Sequence, residues 1–376
     1  MVSFLQKASL FKGILSGERP SRGPFYINLD VTHRCNLNCL GCPYHSQESD
    51  LPSPSAQMVK DIPFDLVTRL CDELKRLKTE RILLIGEGEP LLHPHIFEII
   101  SKCKESGFHV AMYTNGTLFD SARIESILDS RLDMLQVSLW ASSPEIYEKN
   151  YPGTDPNNFN KVVEGLKSLN SIKKQRKNNL PSVFLRHPIN KHNFQSIDAF
   201  VELAWSTGCE GLLFTPMRPY GGRFDSFELS AHEENVLCNS LNQLKKRIKS
   251  LPLKHNLEDI LFKYQYGKRV WEKFPCYAGW TRSSIKTDGT VQPCHSCNLI
   301  MGDLHQSSFQ DIWKGLPYQD FRRKTFTREG LVSLKESAEC EFCHHIRMHA
   351  YIYRLHKWLS PLEPLLKGRA LSSTLR

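Results

Sequence analysis

The chain has 376 residues, of which 40% are hydrophobic and 24% charged, and this composition of a folded protein excludes a disordered chain. The length predicts one barrel-sized domain and a smaller second domain. The longest apolar runs, such as residues 82–85, are far shorter than the roughly 20 residues of a membrane-spanning helix, so no membrane association is expected. The first residues lack the apolar core of a secretory signal, and we therefore expect a cytoplasmic location.

The formal net charge of +9 at pH 7 is spread along the whole chain. Proteins that bind nucleic acid concentrate their basic residues in one block or stripe, so no nucleic-acid partner is expected. A modest basic excess of this kind suits the docking of an acidic protein partner.

Apolar runs and amphipathic segments alternate six times after residue 24. The predicted strands are residues 25–31, 81–85, 109–114, 134–139, 182–187 and 211–215. The predicted helices are residues 64–77, 95–106, 121–129, 159–169, 197–207 and 231–248, and residues 142–158 are predicted to be a loop. Strict alternation gives a parallel sheet, and six such units form a partial (β/α)6, TIM-like barrel of the α/β class. In such barrels the chemistry lies at the carboxyl ends of the strands.

Seven of the twelve cysteines fall into two groups, and the first group follows the first predicted strand. Cys35, Cys39 and Cys42 have C-x3-C-x2-C spacing. Three thiolates can bind three corners of a [4Fe-4S] cluster and leave the fourth iron open. Because structural zinc takes four ligands, a zinc ion closed by His33 or His45 is the alternative. Close grouping of the cysteines without a secretory signal favours metal binding over disulfides.

The second group consists of Cys276, Cys294, Cys340 and Cys343. The dipeptide Asp288-Gly289 lies between alternating apolar residues and predicts a β-hairpin, which Cys276 and Cys294 would flank. Four thiolates can saturate one [4Fe-4S] cluster, and a zinc ribbon is the alternative. Cys297 follows in the sequence Pro-Cys-His-Ser-Cys, where its role is open between substitute ligand, hydrogen-atom donor and inert thiol.

A three-cysteine loop after a first strand resembles the radical S-adenosylmethionine (radical SAM) superfamily. The resemblance implies that Cys35, Cys39 and Cys42 are the catalytic residues and that S-adenosylmethionine (SAM) binds the open iron. One electron then converts SAM to methionine and a 5′-deoxyadenosyl radical, which takes a hydrogen atom from the substrate. The acidic partner that the charge favours would be a flavodoxin or ferredoxin that donates this electron.

The end of the second strand reads Gly86-Glu87-Gly88-Glu89-Pro90 and resembles the GGEP motif of the same family. This implies that Gly88 and Glu89 bind the amino group of the SAM methionine. The ends of strands two and four each depart from the family pattern at one position. Glu87 stands where a glycine is usual, and Trp140 stands where relatives often carry aspartate, so that Trp140 either closes the pocket over adenosine or belongs to the core.

The remaining SAM contacts are also carried over from the resemblance. Asn115 and Ser138 match positions that line the SAM pocket, and Ser138 would reach the ribose hydroxyls. Arg186 would pair with the methionine carboxylate through its planar guanidinium, and a surface arginine is the alternative. Gly41 stands where the family usually carries an aromatic residue that stacks on adenine, and Tyr44 would supply that surface instead.

The second cysteine group resembles the auxiliary-cluster module called SPASM. Its pattern C-x9–15-G-x4-C is met by Cys276, Gly289 and Cys294. The full module has two more cysteines after its C-x2-C pair, but His349 and Tyr353 occupy those positions here. The resemblance therefore implies the shortened twitch version of the module, with a single auxiliary [4Fe-4S] cluster on the four cysteines.

These resemblances imply four regions: an N-terminal basic amphipathic segment (1–24), the radical SAM barrel (25–250), the auxiliary domain (251–349) and a C-terminal tail (350–376). They imply an oxidoreductase that takes a hydrogen atom from a small molecule, such as a sugar or cyclitol alcohol, and passes an electron to the auxiliary cluster. The alternative is a maturase or epimerase that acts on a ribosomal peptide or a sugar. Because few residues precede Cys35, a leader-binding domain is not expected, and the small molecule is the first choice.

Overall fold

The computed structural model describes residues 10–11, 13–15, 20, 22–46, 61–217, 224–266, 273–334, 340, 343, 345–359 and 361. The strands are β1 (Tyr26–Asp30), β2 (Arg81–Ile85), β3 (His109–Thr114), β4 (Met134–Ser138), β5 (Ser182–Ile189), β6 (Gly211–Pro216), β7 (Lys254–His255), β8 (Arg282–Ile285), β9 (Thr290–Gln292) and β10 (Gly302–Asp303). The α-helices are α1 (Phe64–Arg76), α2 (Ile96–Glu105), α3 (Ser121–Asp129), α4 (Pro144–Asn150), α5 (Asn158–Gln175), α6 (Ile197–Ser206), α7 (Ala231–Arg247), α8 (Leu257–Tyr266), α9 (Ala278–Thr281), α10 (Phe309–Lys314), α11 (Leu316–Lys324), α12 (Arg328–Ser333) and α13 (Ile346–Leu359).

The strands form one sheet in the order β10-β9-β8-β1-β2-β3-β4-β5-β6-β7. From β1 to β7 every neighbouring pair is parallel and follows the order of the chain. A helix connects each strand of this series to the next between β1 and β6, which places helices against a continuous parallel sheet. The partial (β/α)6 barrel predicted from the sequence is confirmed, and the short strand β7 extends it at one edge.

Hydrophobic spacing explains why these segments form helices that cover the sheet. Helix α1 buries Leu66, Leu70 and Leu74, which lie one helical turn apart and face the sheet. Helix α3 begins directly after Asp120, whose side chain accepts a hydrogen bond from the Arg123 amide. The buried face fixes how each helix lies on the sheet, and the cap fixes where α3 begins.

The predicted hairpin around Gly289 is present, and it also extends the barrel sheet. Strands β8 and β9 are antiparallel, and Gly289 in their turn has a φ of +83°, a conformation that favours glycine. Strand β8 pairs in parallel with β1, with Ile285 opposite Leu29. The auxiliary segment is therefore hydrogen-bonded directly to the strand that leads into the cysteine loop.

The segment 142–158, predicted to be a loop, contains a helix. Helix α4 begins after Ser143, whose side chain accepts a hydrogen bond from the Ile146 amide.

The described part of the N-terminal segment packs against the C-terminal helix. Leu10, Phe11 and Ile14 lie in one apolar cluster with Ile352 of α13. None of the described helices is both long and apolar enough to cross a membrane.

Candidate functional site

A cavity of about 270 Å³ lies at the carboxyl ends of strands β1 to β4. Its lining includes the predicted residues Cys35, Cys39, Cys42, Tyr44, Gly88, Glu89, Asn115 and Ser138. The lining also includes Tyr113 and Tyr151, which the sequence analysis did not select. The three cysteines and five of the six predicted SAM contacts thus share one cavity. We call it the N-terminal cysteine site.

Backbone hydrogen bonds hold the cysteine loop against the end of β2. The Gly88 amide donates to the Thr32 carbonyl at 3.0 Å, and the Glu89 amide donates to the Arg34 carbonyl at 2.7 Å. A Cβ atom on Gly88 would overlap the Arg34 carbonyl, so this close approach of two main chains requires glycine. The GEGEP sequence therefore fixes the position of the loop that carries the three cysteines.

The three thiols of this loop are half-buried and lie close enough to affect one another. Burial raises the pKa of Cys35 to about 11. The pKa of Cys39 is also raised, first by burial and then by the negative charges that Cys42 and Cys35 would carry as thiolates. Three buried thiolates are costly without a neighbouring cation, and an iron-sulfur cluster would supply the positive irons that remove this cost. The donor set therefore fits a metal cluster.

The spacing of these thiols does not fit a single metal ion. A zinc ion with ligands about 2.3 Å away holds its ligand atoms within about 4 Å of one another. Among the described residues, neither His33 nor His45 joins the three cysteines in a ligand group within 4.8 Å. A cluster separates its ligands more widely and is the better fit to this loop.

Glu89 is buried, and its side chain connects the ends of β2 and β3. Its carboxylate accepts hydrogen bonds from the Leu91 amide at 3.1 Å, the Thr114 hydroxyl at 2.7 Å and the Asn115 amide at 2.6 Å. Burial raises the pKa of Glu89 to about 7, and these hydrogen bonds oppose part of that effect. Glu89 therefore organises the site and retains limited capacity to accept a bond from a ligand.

Two further predicted contacts are held by neighbouring side chains. The Asn115 side-chain amide donates to Asn36 Oδ1 at 2.9 Å and its carbonyl oxygen accepts from the Thr117 amide. These bonds connect the cysteine loop to the end of β3. Ser138 accepts a hydrogen bond from the Trp140 indole nitrogen at 3.1 Å, and its hydroxyl lines the cavity.

Arg186 is the predicted contact that does not line the cavity directly. It lies on β5 opposite Ser138 of β4. One guanidinium nitrogen donates to the Tyr113 hydroxyl at 2.9 Å, and the guanidinium carbon lies 4.9 Å from the centre of that ring. Since Tyr113 lines the cavity, Arg186 holds the wall of the pocket through one intervening ring.

The space beside Gly41 is filled by residues from other strands. A Cβ atom at Gly41 would overlap the Met217 methyl group and lie 3.3 Å from Trp140 Cζ3. A side chain at this position would require the flexible end of Met217 to move, and Trp140 together with Tyr44 provides the aromatic surface of the cavity. Trp140 also packs against the apolar cluster around Met217, so it belongs both to the pocket and to the core.

A lysine of the auxiliary hairpin bridges the two parts of the chain beside this site. Lys286 donates to Asp30 Oδ2 at 2.8 Å and also contacts Glu87 Oε1, while His33 Nδ1 lies 2.9 Å from Glu87 Oε2. Burial raises the pKa of Glu87, but the contact with His33 and the charge of Lys286 outweigh it and lower the value to about 2. No motif in the sequence points to Lys286 apart from its place beside the Asp288-Gly289 turn. The glutamate that replaces a glycine of the family motif thus has a partner.

The second group of cysteines converges on a cavity of about 40 Å³, which we call the auxiliary site. Its lining includes Cys276, Cys294, Cys340 and Cys343, together with Cys297 and His349. Burial raises the pKa of Cys276, and the charges of Cys340 and Cys343 raise it further. The four predicted ligands therefore lie together in an enclosed space, which again fits a metal centre.

His349 and Tyr353 occupy the two positions where the full SPASM module has further cysteines, and Cys297 lies three residues after the predicted ligand Cys294. His349 lines the auxiliary cavity, whereas Tyr353 packs its ring edge-on against Phe274, 5.9 Å away. Burial raises the pKa of Cys297 to about 12, so this thiol stays protonated at neutral pH.

The zinc alternative has one observation in its favour at the auxiliary site. Ligand atoms of Cys294, His295 and His345 lie within 4.8 Å of one another, which is the spacing of a single metal ion. The other three cysteines of the group are not part of that set. The choice between the two metal centres depends on which family the chain belongs to.

A larger groove of about 550 Å³ lies elsewhere, between helices α7 and α8. Its charged residues pair with one another, because Glu258 contacts both Lys245 and Arg347. The cysteines, the buried carboxylates and the glycine-rich strand end all lie at the smaller cavity, which is therefore the candidate functional site.

A parallel α/β barrel with a three-cysteine loop at its carboxyl end and a second cysteine site defines an enzyme that works with iron-sulfur clusters. Residues 29–204 match the radical SAM superfamily, and residues 276–345 match an iron-sulfur cluster-binding domain, SPASM. The chain belongs to the radical SAM superfamily and carries a C-terminal SPASM domain. Its cofactors are SAM, the [4Fe-4S] cluster that binds it, and an auxiliary iron-sulfur cluster.

Similar proteins cover most of the chain at low identity. The AdoMet-dependent heme synthase of Methanosarcina barkeri is 24% identical over 78% of this chain and 83% of its own length. The PqqA peptide cyclase of Granulibacter bethesdensis is 23% identical over 80% of this chain and 76% of its own length. The crystal structure of Streptococcus suis SuiB bound to S-adenosylmethionine aligns with a TM-score of 0.62 and 15% identity over 85% of this chain and 72% of SuiB. The last comparison shows that the fold is shared.

Proposed function

We propose that this enzyme uses radical SAM chemistry to modify a peptide. The peptide cyclase relative supports this choice, since it matches most of both chains. The small-molecule alcohol that the cysteine pattern favours has no comparable support among these relatives. The heme synthase relative is named for a different class of substrate, so the names of the relatives do not decide the substrate by themselves.

The size of the N-terminal cysteine site is the observation that carries the proposal. Its volume of about 270 Å³ is slightly below the roughly 300–1,000 Å³ of pockets that enclose a drug-sized ligand. SAM is itself a ligand of that size and would occupy this space. The reacting group of the substrate then has to enter at the mouth of the cavity. A peptide can place one side chain there while the rest of it lies outside.

In this proposal Cys35, Cys39 and Cys42 hold the SAM-binding cluster. When bound, cluster and SAM together supply a 5′-deoxyadenosyl radical that removes a hydrogen atom from the substrate. Gly88 and Glu89 place the methionine end of SAM, because the main chain approaches closely there and the carboxylate attracts an ammonium group.

The ribose and adenine of SAM would lie against the opposite wall. The Ser138 hydroxyl would bond the ribose, and the Tyr44 ring would face the adenine. Asn115 would hold the cysteine loop in place through its bond to Asn36. Arg186 would pair with the methionine carboxylate once its guanidinium turns from Tyr113 into the cavity, and in its present position it supports the Tyr113 wall. All of these groups lie at strand ends, where barrel enzymes place their chemistry.

Cys276, Cys294, Cys340 and Cys343 would hold the auxiliary cluster, which is suited to accept an electron when the substrate is oxidised. A flavodoxin or ferredoxin would supply the electron for SAM cleavage in the cytoplasm. We retain the division into a barrel (25–250) and an auxiliary domain (251–349), with segments 1–24 and 350–376 on either side, as part of this proposal.

The test uses anaerobically reconstituted enzyme, SAM and a reductant with extract of cells that carry the gene. The extract is divided into an untreated part and a part digested with protease, and 5′-deoxyadenosine is measured in each. We expect the untreated extract to stimulate its formation and protease digestion to abolish this stimulation. Stimulation that survives digestion and passes a membrane with a small cutoff would replace the peptide with a small molecule. Mass spectrometry of the stimulating peptide then shows whether two hydrogens are lost or only a stereocentre changes.

A further inference from the structure

A histidine of helix α13 faces one of the four auxiliary cysteines. His349 is 3% exposed, and its Nε2 atom lies 3.9 Å from the Sγ atom of Cys276. The two residues are far apart in sequence, and α13 brings them together. His349 occupies one of the two positions where the full SPASM module has a further cysteine.

The other ring nitrogen of His349 determines where its proton lies. Nδ1 is 3.1 Å from the Tyr277 amide nitrogen, which can only donate a hydrogen bond. Nδ1 must therefore be the unprotonated nitrogen, since a protonated imidazole has no acceptor. The neutral ring then carries its hydrogen on Nε2, and this N–H group points at the Cys276 sulfur.

This geometry does not agree with His349 as an additional ligand of the auxiliary cluster. In a cluster with four ligands each ligand binds its own iron, and Cys276, Cys294, Cys340 and Cys343 already supply four. A ligand nitrogen would also need to direct its lone pair at iron, whereas Nε2 of His349 carries a hydrogen. The contact with sulfur is the role that remains.

We propose that His349 is a positioning residue of the auxiliary site, whose Nε2–H group donates a hydrogen bond to the Cys276 thiolate when that thiolate binds the cluster. Hydrogen bonds to the cysteine sulfurs help to set the reduction potential of a cluster. The reduced cluster carries more negative charge on its sulfurs, so a donor stabilises the reduced form and raises the potential. The inference does not depend on the class of substrate.

The site around His349 also contains a buried cation. Arg282 is 6% exposed, and its guanidinium donates to the sulfur of Met348, the residue before His349, at 3.5 Å. A buried positive charge therefore lies close to the histidine that faces the auxiliary cysteines. This charge and the N–H donor of His349 would both make the auxiliary cluster easier to reduce, which suits an acceptor of electrons.

The test measures the potential of the auxiliary cluster in the full-length chain with Cys35, Cys39 and Cys42 changed to Ala, so that only this cluster remains. His349→Gln keeps a donor near the position of Nε2. His349→Asn and His349→Leu remove it, and Asn retains an acceptor near Nδ1 for the Tyr277 amide. We expect a more negative midpoint potential for the Asn and Leu variants and a value near that of the parent for Gln.

Electron-nuclear double resonance of the reduced protein in D2O supplies a second readout. We expect the parent and His349→Gln to show a coupled exchangeable deuteron that His349→Asn lacks. Equal potentials in all four proteins would show that the histidine does not act on the cluster. Loss of iron in His349→Gln, or strong nitrogen coupling in the parent, would identify His349 as a ligand and overturn the proposal. Neither result would bear on whether the substrate is a peptide.

Discussion

The two cysteine sites of this chain hold similar chemistry in different surroundings. The N-terminal site takes its three cysteines from one loop and opens into a cavity of about 270 Å³, whereas the auxiliary site collects four cysteines from separate segments around about 40 Å³. A cluster with three protein ligands has an iron left for SAM, and a cluster with four has none. The site with three cysteines therefore has a cavity with room for SAM, and the site with four cysteines has not.

The charges around the two sites also differ. Glu89, Glu87 and Asp30 lie beside the N-terminal site, where Lys286 pairs with the last two. The auxiliary domain instead buries arginines. Arg282 is 6% exposed and contacts Met348, the residue before His349 of the auxiliary site. Arg322 is also buried, but it stacks on Trp313 and is not among the residues that line this site. Carboxylates suit the binding of a cationic ligand, and buried cations suit an anionic cluster that receives electrons.

The largest expected effect comes from removing the N-terminal ligands. Changing Cys35, Cys39 and Cys42 together to Ala should reduce the iron content from about eight to about four per chain and abolish 5′-deoxyadenosine formation. Iron and sulfide analysis with chromatography of the nucleoside checks both results. Cys238→Ala is the matched control, because this thiol lies on α7 away from both sites. Zinc in place of iron after anaerobic reconstitution would show that the sites are not clusters.

Glu89→Gln tests the acidic character of the N-terminal site. We expect SAM affinity at pH 8 to fall by about tenfold to a hundredfold, as for the loss of a charged hydrogen bond. Burial raises the pKa of Glu89 to about 7 in the wild type, so this carboxyl gains a proton as the pH falls below 7. The neutral carboxyl attracts the ammonium group of SAM less strongly, and the affinity for SAM should fall. Wild-type affinity should therefore decrease by up to about tenfold for each pH unit below 7, and the variant should show no such slope.

Calorimetric titration of SAM between pH 6 and 8 provides the measurement for Glu89. Glu98→Gln is the control, since this exposed carboxylate lies on the surface against His95, outside the lining of the cavity. A variant that keeps the wild-type slope would show that another group titrates. An unchanged affinity would place the methionine of SAM elsewhere in the cavity.

The sequence predicted the barrel well because its elements depend on local spacing. Strands such as β2 and β3 begin and end at the predicted residues, since apolar runs and polar turns indicate those limits. No pattern within one segment predicts which distant segment it will pair with. The attachment of β8 to β1 and the contact of Lys286 with Glu87 join residues that are far apart in the chain.

The candidate site shows the same division between local and distant information. The cysteine spacing and the GEGEP sequence are local patterns, and they located the cavity. The filling of the space beside Gly41 by Met217 and Trp140, and the role of Tyr113 in holding Arg186, depend on which residues neighbouring strands place there. No spacing rule within one segment contains that information.

Lys286→Met tests whether the auxiliary hairpin supports the N-terminal site. Removing one partner of a buried ion pair costs about 3–5 kcal/mol, because Asp30 and Glu87 would lose the positive charge that offsets their burial. We expect a lower free energy of unfolding and about tenfold weaker SAM binding, with the iron content unchanged. Lys314→Met on the surface of α10 is the control. Unchanged SAM binding in a destabilised Lys286→Met protein would limit the lysine to a structural role.

The smallest effect is expected for Cys297→Ala. This thiol is 4% exposed inside the auxiliary site, so a substrate in the N-terminal cavity cannot reach it without rearrangement. Turnover should remain within about twofold of the wild type, as for a buried change that preserves the ligands. Product formed in D2O should carry no deuterium at the abstracted position when the reaction is an oxidation. A variant that makes 5′-deoxyadenosine but no product would identify Cys297 as a hydrogen-atom donor.

The contrast in access between the two sites is tested most directly by electron paramagnetic resonance of the reduced protein with and without SAM. Wild-type enzyme and the Cys35, Cys39, Cys42→Ala variant are compared, so that the second protein reports the auxiliary cluster alone. We expect SAM to change the wild-type spectrum and to leave the spectrum of the variant unaltered. A SAM-dependent change in the variant would show an open iron at the auxiliary site and contradict the account of two sites with different access.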